Sequence, residues 1–252
     1  MSEPLIVITG ASSGIGAATA RLLSSQGHPL LLLARRLEQL EALGLPDALC
    51  RKVDVTDREA VKAAVREAEE RYGPVDLLVN NAGAVLPGRI ADQPVDEWEQ
   101  MLDVNVKGLL YATRAVLPGM VGRGAGTIVN ISSVAGRKTF PNHVAYAGTK
   151  FAVHAMSENL REEVAATGRR PVHGHHLGSL GRPVTLLRKA GHTARQHPLR
   201  DPVYGSTSVI RDARPATPSS VRPAPGELMR EACLDHFRCV APDPVPILIS
   251  MR

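Results

Sequence analysis

Aromatic residues are scarce in this 252-residue chain, at 3% (one Trp, four Tyr and three Phe), so a core of any size must be aliphatic. The three cysteines, Cys50, Cys233 and Cys239, are odd in number and stand at no metal-ligand spacing. They argue against a disulfide scaffold and fit a reducing cytoplasm. No apolar run approaches the ~20 residues of a membrane span, so no membrane partner is expected. An apolar segment begins at Leu5, which leaves no room for a signal peptide. The length suits one α/β domain able to bury a full core, and an apolar content of 44% is ordinary for such a domain.

Short apolar runs alternate with helical stretches through the first two thirds. Leu5-Ile6-Val7-Ile8, Leu30-Leu31-Leu32-Leu33, Val75-Asp76-Leu77-Leu78-Val79 and Thr127-Ile128-Val129-Asn130-Ile131 read as buried strands. Thr56-Asp57-Arg58-Glu59 reads as a capping box, opening a helix with Val61, Val65, Ala68 and Tyr72 on one face and a stop at Gly73-Pro74. Residues 96–114 read as a long helix bearing Asn105. This alternation implies a parallel sheet with right-handed crossovers.

Between the first strand and the helix Ala17–Gln26 lies Thr9-Gly10-Ala11-Ser12-Ser13-Gly14-Ile15-Gly16. Strand, glycine turn and helix is the context of a dinucleotide-binding loop. Gly10 allows the tight turn, Gly14 lets backbone approach a pyrophosphate, and Gly16 lets helix pack on strand. The helix N-terminus offers unpaired N–H groups to phosphate.

Further along, Tyr146 and Lys150 stand four apart on one helical face. A free phenol has a pKa near ~10 and is a poor acid or base at neutral pH. A neighbouring lysine favours the phenolate and brings it toward the working range. Ser133 closes the Thr127–Ile131 run and so stands at a strand's carboxyl end, where open α/β sheets place ligands.

Taken jointly, the glycine loop, Asn80-Asn81-Ala82-Gly83, Asn105, Ser133 and Tyr146-x-x-x-Lys150 resemble a short-chain dehydrogenase/reductase over residues 5–168. The resemblance implies an α/β, Rossmann-type doubly wound parallel sheet and a carbonyl–alcohol oxidoreductase, with homo-oligomers common. It assigns Tyr146 as general acid and base, and Lys150 to the nicotinamide ribose. Ser133 falls to the substrate oxygen and Asn105 to a water-linked proton relay. It also places Ser12, Ser13 and Ile15 with the three glycines around the cofactor, Asp54 and Val55 at the adenine, and Asn81, Ala82 and Gly83 beneath it. Asparagine and glycine near residues 105–108 are poor helix-interior residues; by itself that reads as a surface asparagine on a loosely formed helix, and the relay role is what the resemblance implies.

Arg35 and Arg36 follow the second strand with no acid beside them. A carboxylate there would bind a ribose 2′-hydroxyl, whereas guanidinium suits a 2′-phosphate, so NADP is expected over NAD. These arginines and residues 108–121 look most like reductases of the 3-hydroxy acid or serine dehydrogenase type. The rival reading is a catalytically silent nucleotide-binding protein or an interaction module.

From Arg169 the chain changes character. Residues 169–252 hold eleven of nineteen prolines, twelve Arg and six of nine His, with 13 basic and 6 acidic groups, a net of +7. Residues 1–168 carry 17 basic and 19 acidic groups, a net of −2. The resemblance implies an apolar sixth strand ending in Pro-Gly, but Pro171-Val172-His173-Gly174-His175-His176-Leu177-Gly178 reads as a poor buried strand. Residues 211–225 have a linker composition. Three origins compete: a reading-frame shift near Gly168, a divergent tail that still forms strands, and a functional tail. Composition favours the first. Scattered basic residues without interleaved aromatics argue against nucleic acid. His173, His175 and His176 lack a partner at ligand spacing, so no metal is expected.

Overall fold

A computed structural model describes residues 3–166 and 173–177, the last five by their backbone. Strands β1 (Leu5–Thr9), β2 (Leu30–Ala34), β3 (Ala48–Lys52), β4 (Val75–Asn80), β5 (Thr127–Ile131) and β6 (His173–Leu177) form one parallel sheet in the order β3-β2-β1-β4-β5-β6. Helices α1 (Gly14–Ser25), α2 (Leu37–Glu41), α3 (Arg58–Tyr72), α4 (Val95–Leu102), α5 (Leu109–Arg123) and α6 (Val144–Ala166) make the crossovers. The strand order reverses between β1 and β4, and a doubly wound sheet opens its ligand crevice at that point.

A strand with helices on both faces must bury every side chain, which explains the unbroken apolar runs. All five residues of β1 and of β2 are buried. Alternate residues feed two cores. Leu5, Val7, Leu31 and Leu33 meet Val61, Val65 and Ala68 of α3 and Val116 of α5. Ile6, Ile8, Leu30 and Leu32 share the other core with Leu23 of α1 and Leu40 of α2.

Helix α3 starts one residue later than the capping-box reading places it. Asp57 is the cap, its carboxylate accepting from the N–H of Glu59 at 3.1 Å and of Ala60 at 3.0 Å. Thr56 turns back instead, and its hydroxyl donates to Asp54 Oδ1 at 2.8 Å. The carboxylate of Asp54 is therefore already engaged by Thr56.

The second correction concerns β6. The histidine-rich segment does enter the sheet, parallel to β5, with Thr127 opposite His173 and Ile131 opposite Leu177. The expectation of a poor strand weighed side-chain character. The exposed edge of β5 offers a row of backbone donors and acceptors to whatever backbone the α6 crossover delivers. The linker-like residues 211–225 lie outside the described residues, as do Cys233 and Cys239.

Candidate active site

Three loops at the carboxyl ends of β1, β4 and β5 converge with the first turns of α6. The β1 loop is shaped by glycine. Gly10 has a φ of +66°, and a Cβ there would lie 2.7 Å from Ala82 Cα, so the turn and the β4 loop touch backbone to backbone. Gly14 has a φ of +55°, and a Cβ on it would meet nothing within 4 Å. Helix α1 opens there with no side-chain cap and no acid in its first turn. Its leading N–H groups have no side-chain cap, and with the open space at Gly14 this suits an anion. Gly16 is where the sequence reading needs sharpening. A Cβ on it would stand 2.5 Å from both Asn81 Nδ2 and the Gly10 carbonyl, so its smallness serves the loop-to-loop contact.

Asn81 locks that contact. Its amide donates to the carbonyls of Thr9 at 3.1 Å and Gly10 at 3.0 Å. Thr9 Oγ1 accepts in return from the N–H groups of Asn81 and Ala82, each at 3.0 Å. The side chain of Asn81 is thus spent on holding the glycine turn. Beneath it lies a polar network that sequence reasoning missed. Asn80 donates to Asn130 Oδ1 at 2.9 Å and Thr113 Oγ1 at 3.1 Å, and Asn130 donates to Ser157 Oγ at 2.8 Å. Its signal was an asparagine at or next to the end of each of two adjacent strands, Asn80 opposite Asn130 in register.

Arg36 reaches across to the glycine loop, where its guanidinium donates to Ser12 Oγ at 3.2 Å and Ser13 Oγ at 3.3 Å. Arg35 is exposed as well, but only Arg36 is joined to that loop by hydrogen bonds. Val55 is buried, and Gly108 packs against it so closely that a Cβ would lie 2.7 Å from Val55 Cγ2.

Asn105 occupies a π-helical turn, Asp103–Gly108, between α4 and α5. Such bulges commonly mark functional positions. Its Oδ1 accepts from the N–H of Ala84 at 2.8 Å, and its Nδ2 donates to the carbonyl of Ala84 at 2.8 Å and to Thr149 Oγ1 at 3.1 Å. Both amide protons are therefore committed.

Ser133 caps the 3-10 turn Val134–Gly136, with Oγ accepting from the N–H of Ala135 at 3.1 Å. Accepting that bond leaves the hydroxyl proton to donate elsewhere. The turn lies hard against α6: a Cβ on Gly136 would stand 2.7 Å from the carbonyl oxygen of Lys150. Tyr146 is half-buried in the first turn of α6 and meets His143 edge-on, ring centroids 6.1 Å apart. The segment before it is pinned to the β4 loop by Gly88 N–H donating to the Asn142 carbonyl at 2.8 Å.

Lys150 is only 7% exposed, and its ammonium lies 5.9 Å from the Tyr146 ring centroid and 2.9 Å from the carbonyl oxygen of Ile131. Burial pulls its pKa down from 10.5 to about 8. A Cβ on Gly83 would lie 3.4 Å from Asn105 Oδ1 and 3.8 Å from Lys150 Nζ, which brings the ends of β4, α4 and α6 to one point. A tyrosine, a buried lysine and a serine at the ligand end of a doubly wound sheet that also carries a glycine turn form an arrangement suited to dinucleotide-dependent redox chemistry.

Comparison with known proteins agrees. Residues 4–174 match the short chain dehydrogenase family, and the chain belongs to that family of oxidoreductases. An uncharacterized oxidoreductase of Staphylococcus saprophyticus is 45% identical over 172 residues, covering 67% of this chain and 70% of its own. A short-chain dehydrogenase from Streptomyces avermitilis superposes with a TM-score of 0.65 at 37% identity, covering 71% of this chain and 65% of its own. The closed form of serine dehydrogenase complexed with NADP+ gives a TM-score of 0.62 at 37% identity, covering 64% of this chain and 66% of its own. Among the described residues no helix is long and apolar enough to cross a membrane, and no group of three or more His, Cys, Asp or Glu is placed to hold a metal ion.

Proposed function

We propose that the chain interconverts a carbonyl and a secondary alcohol, with NADP as its dinucleotide. The observation that carries this reading is the placement of Lys150, its ammonium held by the carbonyl of Ile131 at 2.9 Å while facing the Tyr146 ring. When bound, the dinucleotide supplies or accepts the hydride. The open cradle at Gly14, the bare N-terminus of α1 and the cationic Arg36 over Ser12 and Ser13 fit its phosphates. Arg36 beside this loop, without a carboxylate in either flanking position, favours a 2′-phosphate over a free 2′-hydroxyl. Asp54 and Val55 would border the adenine, with Ala82 and Gly83 below.

Around the reacting carbon the chain manages charge and one proton. In the reducing direction negative charge grows on the substrate oxygen, and the hydroxyl protons of Ser133 and Tyr146 stabilise it. Tyr146 gives up its proton to that oxygen, and the Lys150 ammonium offsets the charge left on the phenol. In the oxidising direction the same groups run in reverse.

A carboxylate-bearing substrate of the 3-hydroxy acid or serine type fits the surroundings. Residues 133–157, which carry Ser133 and Tyr146, include Arg137, Lys138 and His143 and not one Asp or Glu. The structural similarity to serine dehydrogenase points the same way. Exposed Leu102, Leu110, Val144 and Phe151 on α4, α5 and α6 support self-association as a homo-oligomer. The cytoplasm is the expected compartment.

A second reading, a nucleotide-binding protein without turnover, draws support from the family match ending at residue 174, within the tail of net charge +7 that begins at Arg169. Tyr146→Phe separates the two. Turnover of a panel of 3-hydroxy acids and other secondary alcohols should fall roughly 100-fold or more, with NADPH affinity nearly unchanged. Unchanged turnover refutes the assignment of Tyr146. NADPH binding by the wild-type chain without turnover of any alcohol or carbonyl favours the silent binder.

A further inference from the structure

We propose that Thr149 is a positioning residue that locks Tyr146 to the π-helical turn at Asn105. Thr149 is 1% exposed and Asn105 2%, so neither polar group can turn to water. The Thr149 hydroxyl donates its single proton to the backbone carbonyl of Tyr146 at 2.7 Å and accepts from Asn105 Nδ2 at 3.1 Å. Neither role can be exchanged, because a carbonyl only accepts and an amide nitrogen only donates. The orientation of Asn105 is settled in turn by Ala84, whose N–H faces Oδ1 and whose carbonyl faces Nδ2, each at 2.8 Å.

The result is an unbroken run of directed bonds from the β4 loop, through the middle of the α4–α5 rod, to the backbone of Tyr146. It crosses three elements that are far apart in the chain: Ala84 and Asn105 are 21 residues apart, and Asn105 and Thr149 are 44. A backbone carbonyl one turn from a helix start is ordinarily satisfied within its own helix. Here it also takes a side-chain bond that ties the residue carrying the phenol to another part of the sheet's ligand end. Fixing a reacting group to a fraction of an ångström is the kind of restraint that governs rate, and a 1 Å misplacement can cost about 100-fold. Serine would keep both bonds. Valine would keep the shape and lose both, leaving the Asn105 amide with an unpaired buried proton.

This inference rests on Tyr146 being the acid and base only for its effect on rate; the geometric claim stands by itself. The test uses the full chain labelled with [13Cζ]tyrosine, whose four tyrosines give a countable spectrum in which Tyr146→Phe identifies one signal. Thr149→Val should shift or broaden the Tyr146 signal, leave those of Tyr72 and Tyr111 in place, and keep NADPH affinity within about threefold. Thr149→Ser should restore the wild-type signal. Where turnover is measurable, kcat should fall at least roughly tenfold in Thr149→Val with little change in KM, and return in Thr149→Ser. If Thr149→Val does not fold, Thr149→Ala carries the same comparison. An unmoved Tyr146 signal in the variant overturns the proposal, as does a serine variant that behaves like valine. Should Tyr146→Phe itself retain turnover, the oxidoreductase reading fails while the tyrosine signal still decides the role of Thr149.

Discussion

The ammonium of Lys150 donates to the carbonyl oxygen of Ile131 at 2.9 Å, joining the second turn of α6 to the end of β5. That bond holds a charge in a place that disfavours charge, and the pH dependence of stability follows from it. Burial lowers the folded-state pKa from 10.5 to about 8. Below pH 8 both folded and unfolded chains carry the proton and the burial cost is present in full. Between about 8 and 10.5 the unfolded chain binds more protons than the folded one, so this group makes stability rise with pH. The full swing is roughly 3 kcal/mol by order of magnitude. Lys150→Met removes the dependence, so urea unfolding of the two proteins from pH 7 to 10 should show the wild type gaining on the variant. A constant difference would refute burial as the cause.

Arg35 and Arg36 are adjacent and both exposed, yet only Arg36 bonds to Ser12 and Ser13. Their contributions to NADPH binding should separate accordingly. Losing a charge-assisted contact costs about 1.5–3 kcal/mol, so Arg36→Ala should weaken NADPH roughly 10- to 100-fold and leave NADH nearly alone. Arg35→Ala should change either by less than about threefold. Fluorescence titration of both variants with both dinucleotides checks this, and equal losses for NADPH and NADH would sink the 2′-phosphate argument.

The strands were legible because a sheet covered on both faces favours apolar residues at most strand positions, and β5 spans the same residues, Thr127–Ile131, that its composition marks. The Tyr146–Lys150 spacing and the glycine turn were legible for a similar reason: each is local, and a helix or a turn fixes its geometry within a few residues. What was hidden depends on distant partners. Nothing near Asn80 in sequence announces Asn130 or Ser157, and the role of Gly16 depends on Asn81, 65 positions away. The helix-poor Asn105 and Gly108 hinted at an irregularity, but a π turn is defined by backbone bonds that side-chain preferences express only weakly. Strand β6 was masked because its histidines describe side chains, whereas its pairing with β5 is a matter of backbone.

Gly10 and Gly14 both have positive φ and should fail differently when replaced by alanine. At Gly10 the new methyl would add a 2.7 Å clash with Ala82 Cα to the left-handed strain. At Gly14 it enters open space, leaving only the strain of about 1–2 kcal/mol. Gly10→Ala should therefore cost several kcal/mol, on the order of 3 or more, and spoil binding by deforming the loop. Gly14→Ala should stay folded with a small shift in its urea midpoint while NADPH affinity drops, because the methyl fills the cradle. Undiminished binding by Gly14→Ala would show that the cradle holds no phosphate.

Asn80 and Asn130 face each other in register at or next to the ends of β4 and β5, 4% and 1% exposed, with Thr113 and Ser157 completing their bonds. The arrangement is already strained for partners, since Asn80 Oδ1 has none among the described residues. Truncating Asn130 to alanine strips Ser157 of its donor and leaves unpaired the Asn80 proton that Asn130 Oδ1 accepts, which should cost roughly 2–4 kcal/mol. Because Asn80 has then lost its main partner, removing it as well should add less than its own single-variant cost. The coupling in a double-variant cycle measured by urea unfolding should be about 1–3 kcal/mol. Asn81, the next residue, holds the glycine turn, so the same variants should also weaken NADPH binding. Additive losses with unchanged binding would mean that the pair supports the sheet and not the site.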